Sequence, residues 1–182
     1  ELLRELAPGE LLARCGTIVV TGLTDDSRRV SAGGLFVAVR GTQADGRRFV
    51  SDAVARGAAV IVGEGVEPSA QALMIDVPDA RAALTTIAFR WYGLAADGCG
   101  GLKLAGITGT NGKSTTAFMT RAILRAAGLK CGMLGTVHYD LCGRNVTARM
   151  TTPGPLELAA CLRECADAGA VAVPRVRPLR RR

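Results

Sequence analysis

Ten consecutive residues, Gly106-Ile-Thr-Gly-Thr-Asn-Gly-Lys-Ser-Thr115, hold the types that can seat a polyphosphate. Gly109 and Gly112 let backbone amides turn inward and come close to phosphate oxygens. Thr110 and Asn111 lie between them, and a helix predicted to begin at Lys113 adds its free amides and dipole. The Lys113 ammonium can reach the β- and γ-phosphates, the Ser114 hydroxyl can ligate Mg2+, and Thr115 closes the stretch. The strict phosphate-loop pattern has glycine five positions before Gly112; this chain has Ile107 there, so the match is to a variant. A plain glycine turn between strand and helix is the competing explanation. Strand, two glycines, lysine, serine and helix agree here, which favours nucleotide binding. The loop leaves open whether the phosphoryl group passes to water, an alcohol or a carboxylate.

Hydrophobic periodicity supplies the elements that position this loop. Leu102 to Ile107 reads as the strand feeding it, and Lys113 to about Ala127 as the helix leaving it, stopped by Gly128. Cys131 to Gly135 reads as a further strand and Val137 to Ala148 as a hairpin around Cys142-Gly143. Pro155 to Ala168 reads as a helix with Pro at its start and Gly169 after its end. Upstream, Leu35 to Val39 is a buried strand, Arg48 to Arg56 a helix closed by Gly57, and Ala58 to Val62 and Ala72 to Val77 are strands. Asp79 to about Leu94 is helical, with Leu84, Ile87, Ala88 and Trp91 on one face. The glycine-rich stretch Ala95 to Gly101 lacks periodicity and separates the two patterns. The expected architecture is α/β, with one domain over 1–99, a second over 100–170, and an atypical basic tail over 171–182.

The net charge of +7 invites a nucleic-acid reading that its distribution opposes. Five of the 23 basic residues, Arg175, Arg177, Arg180, Arg181 and Arg182, occupy the last eight positions; without them, 18 basic residues face 16 acidic ones. A folded nucleic-acid binder carries its charge as a patch on the domain, so no nucleic-acid partner is expected. No apolar run approaches the ~20 residues of a membrane span. The six cysteines form no CxxC pair and His138 is the only histidine, a poor ligand set for zinc. They read as small buried hydrophobes in a reducing cytoplasm. The expectation is a cytoplasmic monomer.

Three further segments carry a family resemblance. The loop GTNGKST resembles the ATP loop of the Mur ligases and of their relative folylpolyglutamate synthase. Asp25-Asp26-Ser27-Arg28, followed by GGLFVAVRG over 33–41, resembles the uridine-nucleotide domain of the MurE and MurF types. Gly41-Thr-Gln-Ala-Asp-Gly-Arg47 is similar to the HQADGR signature of the MurE type and lacks the phenylalanine of the MurF version. Met150-Thr-Thr-Pro153 resembles the MurE segment that holds the sugar nucleotide. Over about 24–170 the chain is identified as a member of the Mur ligases, of MurE type. The fold implied is a small N-terminal uridine-nucleotide-binding α/β domain followed by a truncated P-loop α/β ATP-binding domain.

The resemblance implies site residues and a reaction. Ser27 would contact the uridine, and Thr42, Gln43 and Ala44 would line the same nucleotide site; Thr42 stands where the family usually has His, so no imidazole is available there. Thr151 and Thr152 would hold the muramoyl-peptide portion or its neighbouring pyrophosphate. Gly109, Thr110, Asn111, Gly112, Lys113, Ser114 and Thr115 would bind ATP, with Lys113 as the catalytic cation and Ser114 on Mg2+. The family joins an amino acid to UDP-N-acetylmuramoyl-L-alanyl-D-glutamate. ATP converts the carboxylate to an acyl phosphate, an amine attacks, and phosphate leaves. The amine is meso-diaminopimelate or L-lysine in most members, and the Ala/Gly/Arg-rich usage leans towards diaminopimelate.

After Ala170 the likeness breaks off. The family continues from a strand into an EVSSH-like segment supplying a magnesium glutamate, whereas this chain reads VAVPRVRPLRRR over 171–182. Pro174 and Pro178 among arginines do not resemble a buried central strand. The strand ahead of Pro174 is expected to be an exposed edge or unfolded end. Two readings stand: a ligase cut short by a change of reading frame and inactive alone, or an autonomous nucleotide-binding module whose basic tail engages an acidic partner. The chain begins at Glu1, so an upstream start is also expected.

Overall fold

The computed structural model describes residues 3, 18–41, 44–94, 99, 101–148 and 153–177. These fall into two compact units, Glu1–Trp91 and Tyr92–Arg182. Each is an α/β sheet that carries its own core.

The first unit is a four-stranded, all-parallel sheet in sequential order: β1 (Leu23–Thr24), β2 (Leu35–Ala38), β3 (Val60–Gly63) and β4 (Leu73–Asp76). Every residue of β2 and β3 is buried, as the unbroken apolar runs require of strands covered on both faces. Phe36, Ala38 and Ile61 point to the face where Ala53 of helix α1 (Val50–Ala55) packs. Helix α2 (Ala80–Trp91) lies against β2 and β3 and buries Ala80, Ala83, Leu84, Ile87 and Ala88. Three of the four residues predicted on that face are therefore core; Trp91 is half-buried. Gly57 takes a φ of +87° just past α1. There its N–H donates to Val54 O at 2.8 Å, the left-handed helix stop that its position suggests.

The second unit has five strands: β5 (Lys103–Ile107), β6 (Met133–Leu134), β7 (His138–Asp140), β8 (Asn145–Thr147) and β9 (Ala172–Val176). Their spatial order is β5-β9-β6-β7-β8, with β5, β9 and β6 parallel and β6, β7 and β8 antiparallel. Helix α3 (Lys113–Ala126) follows β5 and packs Ala117 on Met133 and Val176. Helix α4 (Pro155–Asp167) buries Leu158, Ala159, Cys161, Leu162 and Cys165. The Cys165 sulfur sits so close to Gly132 that a Cβ there would approach it to 2.6 Å. Burial raises the thiol pKa of both cysteines, Cys161 to about 11, which keeps them uncharged packing groups.

One expectation is overturned in this unit. Residues 172–176, read from sequence as unfit for a central strand, form β9 between β5 and β6, with Val173, Pro174 and Val176 buried. The edges are β5, four of whose five residues are exposed, and β8. The physical reason lies in where the proline nitrogen points. The Arg177 N–H donates to Ile107 O at 2.8 Å and the Gly132 N–H to Ala172 O at 3.2 Å. Odd residues of β9 thus face β5 and even ones face β6. Pro174 turns its missing donor towards β6, only two residues long, and the register with β5 runs unbroken from Lys103↔Ala172 to Ile107↔Val176.

Candidate functional site

In the first unit, two short 3-10 turns share one device. Asp26 caps the turn Ser27–Arg29 and Asp45 caps the turn Gly46–Phe49. Asp26 Oδ1 accepts from the Arg28 amide at 3.1 Å, and its carboxylate also accepts the Arg28 Nε and Nη2 protons at 2.9 and 2.8 Å. Asp45 repeats this with Arg47, whose amide lies 3.0 Å from Oδ1 and whose Nη2 lies 2.6 Å from Oδ2. The guanidinium beside each carboxyl depresses its pKa, that of Asp45 to about 2. A folded-state pKa below the unfolded one makes this contact stabilising above the ordinary carboxylate range, and the contribution is lost as pH falls through about 2. Gly46 fits where nothing larger would: a Cβ there would lie 2.5 Å from Val39 O.

Ser27 opens the first of these turns and is buried. Its hydroxyl lies near Asp52 of α1 and is the leading cause of that carboxyl's lowered pKa, ahead of the Arg56 guanidinium. A serine hydroxyl has one proton to donate and two lone pairs that can accept from a ligand. Ala44 is exposed, and its carbonyl accepts from the Gly41 amide at 2.9 Å. Thr42 and Gln43 lie outside the described residues, as do Thr151 and Thr152.

The second unit places Gly109 to Thr115 between β5 and α3. Gly112 takes a φ of +76° and Gly109 one of +147°, conformations that admit glycine and little else. A Cβ at Gly112 would meet nothing within 4 Å, so the loop is open above. The residue that starts α3 is Gly112, which has no side chain to cap it, so the first-turn amides suit an incoming anion. Thr110, Asn111 and Thr115 are exposed around them. Lys113 folds back over the loop, its Nζ donating to Gly109 O at 2.7 Å and Thr110 O at 3.0 Å. The loop thus sets a cation beside the backbone amides at the start of α3, a pairing that suits a polyphosphate.

Ser114 shares a 2.7 Å hydrogen bond with the hydroxyl of Thr136, which follows the carboxyl end of β6. Sequence reading missed Thr136; the signal was a small polar residue just past a buried parallel strand, where α/β folds place ligand contacts. The Ser114 oxygen suits a hard cation that keeps water and phosphate oxygens as its other ligands. Among the described residues no group of three or more His, Cys, Asp or Glu could hold a metal by itself. Magnesium here would depend on a bound nucleotide. No helix among the described residues is long and apolar enough to cross a membrane.

Residues 19–92 match the family model described as Mur ligase family, catalytic domain, and residues 107–173 match the Mur ligase middle domain. The UDP-N-acetylmuramoyl-L-alanyl-D-glutamate--2,6-diaminopimelate ligase of Solibacter usitatus is 44% identical across 89% of this chain and 32% of its own length. The ligase of the same name from Geobacter sulfurreducens is 43% identical across 85% of this chain and 30% of its own. A UDP-N-acetylmuramyl-tripeptide synthetase of Deinococcus radiodurans is 42% identical across 84% and 32%. Among solved structures, a UDP-N-acetylmuramoyl-L-alanyl-D-glutamate--2,6-diaminopimelate ligase superimposes with a TM-score of 0.70 at 25% identity, over 87% of this chain and 32% of that one. The MurF ligase of Thermotoga maritima in complex with ADP shares the fold, with a TM-score of 0.55 at 21% identity over 91% and 34%. The chain spans about a third of the length of the curated relatives it matches.

Proposed function

This chain belongs to the Mur ligase family, and we propose that it is the sugar-nucleotide and ATP-loop portion of a MurE-type ligase of peptidoglycan precursor synthesis. The observation that carries the proposal is the open loop 109–115, with Lys113 folded over it and the uncapped start of α3 beneath. The reaction proposed for the whole protein adds an amino acid to UDP-N-acetylmuramoyl-L-alanyl-D-glutamate. Diaminopimelate is favoured over lysine because two of the relatives above are named for it.

A carboxylate is a poor electrophile, since direct attack by an amine would have to expel oxide. Phosphorylation by ATP replaces that leaving group with phosphate, but it brings two anions together. In this reading Lys113 and the amides of Gly109 to Thr115 neutralise the accumulated charge, and Ser114 would hold magnesium. Magnesium, when bound, would supply charge that stabilises the phosphates. Ser27 offers its hydroxyl to the uridine. Thr42, Gln43 and Ala44 line the same nucleotide, and Thr151 and Thr152 hold the muramoyl-peptide portion.

Calorimetric titration tests the sugar-nucleotide assignment. UDP-N-acetylmuramoyl-L-alanyl-D-glutamate is expected to bind at least tenfold more tightly than UMP, and Ser27→Ala to weaken both by a similar factor. Heat from neither ligand, with the chain folded by circular dichroism, would contradict the assignment.

A further inference from the structure

Beyond the loop itself, the hydrogen bond between Ser114 and Thr136 carries an inference. It rests on the reading of 109–115 as a nucleotide seat. We propose that Thr136 is a positioning residue that orients the Ser114 hydroxyl for a divalent cation, so that this threonine sets the magnesium dependence of nucleotide binding.

The argument is an inventory of one proton and its acceptors. A serine hydroxyl has one proton and two lone pairs. To ligate a cation it must turn a lone pair towards the metal and its proton away. Next to a metal that proton becomes more acidic and needs an acceptor, because an unmet donor in a half-buried place is costly. Ser114 is half-buried at the second position of α3, and Thr136 Oγ1 lies 2.7 Å from its oxygen. If Ser114 donates to Thr136, both serine lone pairs are free for the cation. If Thr136 donates instead, one of them is taken. Cation binding therefore selects the first direction, and the pair becomes a charge-assisted hydrogen bond of the stronger kind.

The threonine is held in place to do this. Gly135, just before it, donates its amide to His138 O at 3.1 Å, which closes the turn between β6 and β7. The amide of Ala148, after β8, donates to Val137 O at 3.0 Å and ties the other side of that turn. A Cβ at Gly135 would stand 3.1 Å from His138 O, so the turn is tight against its own strand. The hydroxyl is thus presented from a strand end 22 residues away, independently of the loop it serves.

The experiment measures ADP affinity by calorimetry at a series of magnesium concentrations, with EDTA as the metal-free point. It uses the wild-type chain, Thr136→Val, Thr136→Ser and Lys113→Ala, each checked for its melting temperature. Valine keeps the branched shape and removes the acceptor; serine restores it. The expected result is a magnesium midpoint about tenfold higher in Thr136→Val, the size of one hydrogen bond to a charged group. Metal-free affinity should stay within about twofold, and Thr136→Ser should return the midpoint to the wild-type value. An unchanged midpoint in Thr136→Val, or an equal fall with and without magnesium, would overturn the inference while leaving the loop as the nucleotide seat. Unchanged affinity in Lys113→Ala would overturn the loop reading and this inference with it.

Discussion

Replacing Lys113 by alanine is expected to weaken ADP and ATP binding by roughly 10- to 100-fold, the span of one or two charge-assisted hydrogen bonds. The ammonium now donates to two loop carbonyls, Gly109 O and Thr110 O. Those are exchangeable partners. An incoming polyphosphate offers the same ammonium a full negative charge in place of a carbonyl dipole, so the gain on binding belongs to this side chain. The fold should lose little, because the contacts are local to an exposed loop. Lys103→Ala, on the exposed start of β5, should leave affinity unchanged and serves as the control for a general loss of positive charge. Calorimetry with each nucleotide checks the pair.

The largest expected loss of stability is at Asp140, at the end of β7. It is 2% exposed, paired with Arg121, and accepts from Arg125 Nη2 at 2.8 Å, both from α3. These ion pairs clamp the helix that follows the phosphate loop to the antiparallel side of the sheet. Asp140→Ala would leave both guanidinium groups without this carboxylate, and Arg121 Nε already lacks a partner among the described residues. Removing one member of a buried pair costs about 3–5 kcal/mol. The partial exposure of both arginines points to the lower end. Asp140→Asn, which keeps the shape, should cost less than alanine. Urea unfolding followed by circular dichroism measures both, and equal stability of Asp140→Ala and wild type would show that the pairs are not a clamp.

Most of the scaffold was legible because glycine and periodicity agree in this chain. Gly57, Gly128 and Gly169 each take a positive φ within two residues of a helix end, where sequence placed the stops. The strand–loop–helix around Lys113 falls within a residue or two of its expected bounds. What escaped was non-local. β9 was misread because proline and arginine composition says nothing about which neighbour an unmade hydrogen bond would face. The nearness of Ser27 to Asp52 depends on α1 folding back beside the first turn, which no local pattern shows. Thr136 escaped for the same reason, since no spacing rule links residue 114 to residue 136. The paired Asp-x-Arg turns were visible as motifs, while their shared self-capping geometry emerges only with the side chains in place.

The central claim is that residues 109–115 seat a nucleotide polyphosphate, and amide chemical-shift mapping tests it most directly. On titration of the isotope-labelled chain with magnesium ADP, the perturbed amides should be those of 106–116, with Thr136 among the few outside that stretch. The first unit, through Trp91, should stay still at concentrations that saturate the loop. Saturable shifts confined to the first unit, or no shifts at 109–115 while ADP binds elsewhere, would contradict the account.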